Sequence, residues 1–346
     1  MNKKYETITV RDVAKRAGVS VATVSRVLSN SNYPVSENSR DKVIDAAHSL
    51  GYLPKHVLQP TEKDVVVILP SLSNPYYISL LAGLEISLRI FGFNVLIVNT
   101  RHDAQLEREL VQELSGRRHL KVIIAPVTDC LDHLDKLVAT KAPVIVLEQP
   151  YFHGGATIAA DYRASGAIAA EHLLTCKKQR IAFFSAPLSR YSRREVFEGF
   201  RDALAMRGIH LKEEMTFIAS EEPALSNTTS PYYMGISLAK QMLQNCDCLP
   251  DAIFCGNDMM AIGVLRALSE KGIMVPRDIS LIGLDNIDAA EVSNPPLTTI
   301  DECTYEIGSM AAEMLCGMTK DPERKAVHVS LQPKLVIRES VSRTSD

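Results

Sequence analysis

The sequence predicts an α/β protein in two parts: a small N-terminal three-helix domain of helix-turn-helix type, then a body of two lobes built on parallel sheets. Two observations carry this prediction. Residues 10–50 place apolar side chains at helical spacing around a short turn. From residue 64 onward, short β-rich apolar runs alternate with helical stretches, a pattern typical of βαβ units.

The charge of the chain is distributed unevenly. The 346 residues carry a net charge of -3, yet residues 1–59 hold nine Lys or Arg against five Asp or Glu. A basic N-terminal segment on an otherwise acidic chain predicts that only this segment, which we call the front, binds a polyanion.

The class of protein follows from composition. Apolar residues make up 46% and charged residues 23%, which is ordinary for a globular protein with a large core. No apolar run approaches the roughly 20 residues of a membrane span. The first ten residues lack the apolar centre of a signal peptide, and the seven Cys include no CxxC pair. We therefore expect a cytoplasmic protein with reduced thiols.

The three predicted helices of the front cover residues 10–17, about 20–28 and about 36–50. Residues suited to cap, separate or end them are Thr9, Gly18, Ser20, Ser36 and Gly51. The first two helices with their short turn form the helix-turn-helix layout.

The outward face of the second helix predicts DNA recognition. Arg26 suits a bidentate contact with guanine, and the small apolar Val21 and Ala22 suit thymine methyl groups. The other DNA-binding candidates, mostly suited to phosphate contacts, are Thr9, Ser20, Thr23, Ser25 and Arg40. The pattern alone also fits a generic three-helix bundle with a solvated polar face.

The residue identities in the segment "ITVRDVAKRAGVSVATVSRVLSNS" are more specific than its apolar spacing. They closely resemble the head of the lactose/galactose repressor (LacI/GalR) family of bacterial transcription regulators. The resemblance implies sequence-specific binding of double-stranded DNA, most often as a repressor.

The linker departs from the family pattern. Tyr52 and Pro54 match, but Lys55 replaces the usual Asn, and Pro60 falls where a DNA-kinking hinge helix continues in the family. We expect a truncated or flexible hinge, as in the cytidine repressor branch.

The body resembles the family's periplasmic-binding-protein-like effector domain in segments such as "GNDMMAIGVL", "VPRDISLIGLDN" and "NPPLTTI". This implies a headpiece over 1–52, a hinge over 53–63, and an effector-binding and dimerisation domain over 64–346. The implied lobes are about 64–160 with 290–320 for lobe one, and about 161–289 with 321–340 for lobe two.

The sequence gives no sign of an enzyme. It contains no GxGxxG, GxxxxGK or GxSxG loop, and no His or Cys pair has metal-ligand spacing. We expect no catalytic residue, no metal and no cofactor.

A ligand-binding cleft is the expected alternative, because ligands of open α/β sheets bind beyond the carboxyl ends of the strands. Candidate effector-binding residues follow the predicted strands: Asn74, Tyr76, Tyr77, Asp161, Arg190, Ser192, Arg194, Asn257 and Asp285. Arg193 and Asp258 lie beside them, although Asp258 also suits a helix cap. The resemblance favours Tyr77, Asn257 and Asp285.

The identity of the effector stays open. The family's hydroxyl-binding Arg is replaced by Val196, and Arg190 falls where the purine repressor branch places an effector-binding Arg. A sugar or sugar derivative is favoured, with a nucleoside or base as the alternative.

The resemblance implies a homodimer on a pseudo-palindromic operator, with helices over 80–92 and 306–315 as candidate interfaces. A ligand-binding protein that acts mainly through a partner protein is the other alternative.

Overall fold

The computed structural model describes residues 9–28, 35–50, 60–117, 119–220, 231–246, 248–321 and 326–343. The chain divides into two compact units, residues 1–59 and 60–346. The predicted hinge lies outside the described residues except for its last four positions, and so does the predicted helix end at Gly51.

The described part of the first unit has the three predicted helices, α1 (Val10–Ala17), α2 (Val21–Leu28) and α3 (Glu37–Leu50). Their apolar stripes form one small core: Val13, Ala14, Ala17, Val24, Val27, Val43, Ala46 and Ala47. Gly18 ends α1 with a φ of 67°, the left-handed conformation that glycine adopts without strain.

The second unit alternates strands and helices. The strands are β1 (Asp64–Leu69), β2 (Asn94–Asn99), β3 (Val122–Ile124), β4 (Val144–Leu147), β5 (Ala156–Ala160), β6 (Ile181–Ser185), β7 (Thr216–Ile218), β8 (Ala252–Cys255), β9 (Ser280–Leu284), β10 (Thr298–Asp301), β11 (His328–Leu331) and β12 (Lys334–Val336). The helices are α4 (Pro75–Ile90), α5 (Ala104–Leu114), α6 (Asp135–Ala139), α7 (Tyr162–Thr175), α8 (Tyr191–Met206), α9 (Pro231–Asn245), α10 (Asp258–Ser269), α11 (Asp288–Val292) and α12 (Thr304–Lys320).

Two sheets organise this unit, and each defines a lobe. Over the described residues, the lobe-one sheet has the order β11-β5-β4-β3-β1-β2 and the lobe-two sheet the order β12-β10-β9-β8-β6-β7. All pairings are parallel except that of β10 with β12. Because helices cover both faces, central strands such as β1, β4 and β6 are buried along their whole length, which is why they are continuous apolar runs.

The division of the C-terminal region differs from the expected lobe boundaries. Strand β10, expected in lobe one within 290–320, pairs with β9 and belongs to lobe two. Strand β11, expected in lobe two within 321–340, pairs with β5 and belongs to lobe one. The physical reason is that register with a neighbouring strand, rather than position along the chain, decides sheet membership.

Within the described residues, three short segments connect the lobes, at Asp161, at Glu302–Cys303 and at Gln332–Pro333. The first and third are joined, because Gln332 Nε2 donates to Asp161 Oδ2 at 3.1 Å. The Cys303 thiol also lies 3.6 Å from the Gln332 carbonyl. The three connections therefore lie side by side and form an interlobe hinge, which is distinct from the predicted hinge over 53–63.

Helix pairs in each lobe cross at glycines. In α7 and α8, a Cβ on Gly166 would lie 2.0 Å from the Val196 carbonyl oxygen, and one on Gly199 would lie 2.0 Å from that of Arg163. Helices α4 and α12 meet in the same way at Gly83 and Gly308. The expected interface segments 80–92 and 306–315 thus bury much of their apolar surface against each other.

No helix in the described part of the chain is long and apolar enough to cross a membrane.

Candidate functional sites

A cavity of about 90 Å³ lies between the two lobes, beyond the carboxyl ends of β1, β4, β6, β8, β9 and β10. At roughly 15 Å³ per water, it has room for about six waters or for one small ring. Its lining residues are Asn74, Tyr76, Tyr77, Glu148, Tyr162, Phe183, Ser185, Arg190, Ser192, Arg193, Val196, Gly256, Asn257, Leu284, Asp285 and Glu302.

Arg190 joins the lobes at the wall of this cavity. It lies just before α8 of lobe two, and its Nη2 donates to Glu148 Oε2 at 2.5 Å and to the Pro126 carbonyl at 3.2 Å. Its Nη1 donates to the Tyr77 hydroxyl at 3.3 Å. All three acceptors belong to lobe one, and Arg190 and Glu148 are both buried. The guanidinium therefore holds the lobes together at the cavity wall.

A second cross-lobe contact centres on Asp129, in the loop after β3. Its carboxylate accepts from the Tyr191 amide at 2.9 Å and from Arg194 Nη2 at 2.7 Å, both in lobe two. Gln149 of lobe one donates to it at 3.2 Å. These donors hold the pKa of Asp129 below its ordinary value against the effect of burial, which alone raises it. The lobes are thus joined at two neighbouring places.

Two further residues of the cavity wall, Asp285 and Glu302, are acidic. Burial raises the pKa of Glu302 to about 8, although a hydrogen bond from Ser165 lowers it. Burial and three neighbouring carboxyls raise the pKa of Asp285 well above its ordinary value. The backbone at Asp285 has a φ of 115° and that at Glu148 a φ of 59°. Such conformations cost about 1–2 kcal/mol in residues with a Cβ, and they cluster at functional sites.

The side wall of the cavity is aromatic. Tyr76 and Tyr77 pack edge to face with ring centroids 5.1 Å apart, and Tyr162 lies beside them. Burial raises the pKa of all three phenols, so they are neutral donors. Phe183 adds an apolar face. This wall suits stacking against a planar ring or the apolar face of a sugar.

Most of the sequence-predicted effector residues line the cavity: Asn74, Tyr76, Tyr77, Arg190, Ser192, Asn257 and Asp285. Asn74 and Asn257 have a second task, since their side chains accept from the amides of Tyr76 and Met260 and so cap α4 and α10.

Two predicted residues lie outside the wall. Asp161 caps α7 through the Ala164 amide and binds Gln332 at the hinge. Arg194 is turned towards Asp129 and the carbonyls of Leu188 and Ser189. Both residues follow strands in the sequence. The Asp161 carboxylate is occupied by a backbone amide and Gln332, and the Arg194 guanidinium by backbone carbonyls and Asp129.

Sequence reasoning missed the acidic members of the wall. Glu148 directly follows β4 in "VIVLE", and Glu302 follows β10 in "TTIDE". The position of Glu148 at the end of a recognisable strand was a usable signal. Glu302 had no such signal, because β10 was not predicted as a strand. The remaining unanticipated members are Tyr162, Phe183, Ser185, Gly256 and Leu284.

Asp258 differs from the expected helix cap, because Asn257 performs that task. Its fully buried carboxylate accepts from Thr299 Oγ1 at 2.6 Å and from the Ile287 amide at 3.0 Å. Burial raises its pKa to about 7. It supports the β9 and β10 ends from behind the cavity.

The first unit presents the predicted DNA-reading residues on its surface. Val21, Ala22, Ser25 and Arg26 are exposed on α2, whereas Arg40 is half-buried. The other predicted residues cap helices. Ser20 Oγ accepts from the Thr23 amide at 3.0 Å and lies 2.8 Å from Thr23 Oγ1. Thr9 donates to Asp12 at 2.7 Å through both its amide and its hydroxyl. Capping leaves the exposed groups of α2 as the main surface for contact.

Comparison with known proteins agrees with this geometry. Residues 9–55 match the model of bacterial regulatory proteins of the lacI family, and residues 170–341 match that of a periplasmic binding protein-like domain. The regulator DegA of Bacillus subtilis is 30% identical over 344 residues, which cover 96% of this chain and 98% of the relative. The chain belongs to the LacI family. The HTH-type transcriptional repressor PurR of Mannheimia succiniciproducens is 28% identical over 97% of this chain and 99% of its own length.

Solved structures of transcription regulators have a similar fold. The regulator CelR in complex with cellobiose has a TM-score of 0.70 and 25% identity, covering 96% of this chain and 99% of that one. A LacI-family regulator from Enterococcus faecium with bound ribose has a TM-score of 0.69 and 26% identity, covering 82% and 100%. The protein is thus a DNA-binding transcription repressor of the LacI family with an effector-binding body, and its relatives are repressors rather than enzymes.

Proposed function

We propose that the protein is a homodimeric repressor that binds a pseudo-palindromic operator and responds to a small effector in the interlobe cavity. The observation that carries the proposal is the cross-lobe contact of Arg190 at the cavity wall. A ligand in this cavity touches both lobes at once, so its binding energy depends on how they are arranged. That differential affinity is what an effector uses to shift a regulator between states.

The operator is bound through the exposed face of α2. Arg26 contacts guanine in the major groove, and Val21 and Ala22 contact thymine methyl groups. Ser25 and Arg40 hydrogen-bond phosphates, and the capping pair Ser20 and Thr23 fixes the helix end that enters the groove. One head reads few base pairs, so two heads are needed for a specific site.

Dimerisation uses the outer face of α4. Ile78, Ala82, Ile86 and Ile90 recur at every fourth position and are exposed, with Ile90 at 77%. Side chains four residues apart form one stripe, and a continuous exposed apolar stripe is typical of a protein interface. A second copy of the chain would cover it.

The effector is a small polar ring. A sugar or sugar derivative is supported by the structurally similar regulators that hold cellobiose and ribose. A nucleoside or base is the second candidate, favoured by Arg190 at the position that the purine repressor branch uses and by the aromatic wall beside it. We expect no catalytic step, no metal and no cofactor, and we place the protein in the cytoplasm with the chromosomal DNA.

The test of DNA recognition is Arg26→Ala against Arg11→Ala, a matched loss of one exposed positive charge on α1. An operator is first selected from random duplex DNA with the full chain. Loss of one bidentate base contact costs about 1–3 kcal/mol of discrimination. We expect Arg26→Ala to lose about that much of its preference for operator over scrambled DNA at each head, and Arg11→Ala to keep the preference. An unchanged preference in Arg26→Ala would show that Arg26 does not read the operator, and failure of the full chain to select any operator would favour a protein that acts through a partner.

A further inference from the structure

The segment just before β1 is attached to lobe one, although the sequence predicted it as part of a hinge. Residues 60–63 are the last four positions of the predicted hinge over 53–63, yet they belong to the compact unit of the body. Their side chains are half-buried or exposed, and the chain turns at Glu62 and Lys63 before it enters β1 at Asp64. Contacts of this turn with three neighbouring strands fix the point at which the linker leaves the body.

Asp64, the first residue of β1, makes the first attachment. Its Oδ2 accepts from the amide and from the hydroxyl of Thr61, both at 2.7 Å, and its amide donates to the Thr61 carbonyl at 3.1 Å. Its Oδ1 accepts from Nδ2 of Asn94 on β2 at 2.9 Å, and the Asn94 amide donates to the Lys63 carbonyl at 2.7 Å. Asp64 is buried, so its carboxylate joins the turn firmly to β1 and β2.

Lys121, the residue before β3, makes the second attachment. Only 5% of it is exposed, and its Nζ donates to the Glu62 carbonyl at 2.8 Å and to the His119 carbonyl at 3.2 Å. The same ammonium group lies 5.2 Å from the centre of the Phe93 ring, just before β2. A buried ammonium group is costly unless its donors are used, and backbone carbonyls use two of them here.

The role of Lys121 is positional rather than one of packing. An apolar side chain of similar length would fill the same place at a lower cost of desolvation. It would, however, leave the Glu62 carbonyl without its donor from β3. The ion pair of His119 with Glu62, at 3.2 Å, is exposed on both sides and adds little. The buried ammonium group is therefore the main tie between the turn and β3.

We propose that Asp64 and Lys121 are positioning residues for operator recognition, because they fix where the linker leaves lobe one and so set the half-site spacing that the two heads of a dimer accept. We call residues 61–63, held in this way, the linker anchor. The inference rests on the proposed function in taking the protein as a dimer that binds two half-sites.

The length of the anchor gives the size of the effect. An extended chain spans about 3.3–3.6 Å per residue, so release of residues 61–63 adds up to about 10 Å to the reach of each head. One base pair adds about 3.4 Å along the duplex. Release therefore corresponds to about three base pairs of separation at each head. A fixed exit point favours one spacing, whereas a longer tether accepts several at a lower effective concentration.

The first test measures spacing preference with the full chain. The operator selected from random duplex DNA is lengthened by one, two or three base pairs between its half-sites, and fluorescence anisotropy gives the affinity for each. We expect the preference of Lys121→Met for the selected spacing to be at least about fivefold weaker than that of the unaltered chain, because its heads reach a wider range of separations. Lys141→Met removes one exposed lysine of the same lobe and should keep the preference.

Trypsin gives a second readout that does not depend on DNA. Cleavage after Lys63 requires the anchor to open locally, and mass spectrometry identifies the fragment that begins at Asp64. We expect this cleavage to be at least about tenfold faster in Lys121→Met and unchanged in Lys141→Met. Asp64→Ala should give the same change in cleavage and in spacing preference, and it replaces Lys121→Met if that variant fails to fold.

The outcomes separate the anchor from the proposed function. Unchanged cleavage after Lys63 in both Lys121→Met and Asp64→Ala overturns the attachment. Faster cleavage with an unchanged spacing preference overturns the role of the anchor in operator recognition and leaves the repressor standing. Failure of the unaltered chain to select any operator overturns the proposed function and the spacing role with it, whereas the trypsin result then decides the attachment by itself.

Discussion

Arg190 of lobe two and Glu148 of lobe one form an ion pair at 2.5 Å in which each side chain is less than a tenth exposed. The pair lies at the wall of the only cavity to which we assign an effector, so the contact that closes the lobes is also part of the binding surface. The arrangement makes interlobe stability and ligand affinity depend on the same atoms.

Breaking this pair on one side should destabilise the body. Glu148→Gln leaves the buried Arg190 without its counter-charge, and removal of one partner of a buried pair costs about 3–5 kcal/mol. Urea denaturation of the body measures the loss. The double variant Glu148→Gln with Arg190→Met should recover much of it, because an apolar replacement needs no counter-charge. A double variant that is less stable than both single variants would contradict this account.

Loosening the second contact should open the lobes without touching the cavity wall. Asp129→Ala removes the acceptor of the Tyr191 amide and of Arg194. Hydrogen bonds of charged groups contribute about 1.5–3 kcal/mol, so the closed arrangement loses population. Small-angle X-ray scattering should show a larger radius of gyration than for the unaltered chain. Asp132→Ala, in the same loop region but without a contact to lobe two among the described residues, should leave it unchanged.

The glycine crossing of α7 and α8 should tolerate no side chain. Gly199→Ala places a methyl group 2.0 Å from the Arg163 carbonyl oxygen, and the helices must separate. We expect a loss of about 1–3 kcal/mol in the free energy of unfolding. Gly116→Ala is the control, since a Cβ there meets nothing within 4 Å and its φ is not positive. That variant should be neutral or more stable by up to about 1 kcal/mol.

The buried acids should make stability fall as pH rises. Burial raises the pKa of Asp258 from 3.8 to about 7, so the native state binds its proton more tightly than the unfolded chain. The contribution of this proton to the free energy of unfolding is complete below about pH 4. It decreases as the pH rises from about 4 to about 7, by up to about 1.4 kcal/mol per pH unit. Glu302, with a pKa of about 8, extends the decline.

Denaturation between pH 5.5 and 8.5 measures this slope. Asp258→Asn should flatten it up to pH 7, while its Oδ1 can still accept from Thr299. Glu302→Gln should flatten the portion up to pH 8. An unchanged slope in both variants would show that neither carboxyl carries a proton in the native protein.

The elements that could be predicted from sequence are those with a strong local signal. Strands β1, β4, β6 and β8 are uninterrupted apolar runs because both of their faces are buried, and the head follows from helical spacing and caps. Strands β10 and β11 are short and partly polar, so neither their existence nor their exchange between the sheets is visible in local pattern.

The candidate site divides in the same way. Residues in the segments that follow recognisable strands, such as Tyr77, Asn257 and Asp285, could be placed at the cavity. Glu302 could not, because its strand was not recognised. Arg194 was placed there by its position in sequence, and only the three-dimensional position of Asp129 explains why its guanidinium lies elsewhere. Side-chain direction depends on partners far away in the chain.

The exchange of β10 and β11 bears on how such a body can be inherited. Lobe one needs α12 and β11 from beyond residue 303, and lobe two needs β12 from beyond residue 333, so neither is encoded by one uninterrupted stretch. A gene fragment that stops at any of the connections deletes an edge strand or a core helix from a lobe that is otherwise complete. Recombination can therefore transfer the head as a cassette, but the two lobes must be transferred together.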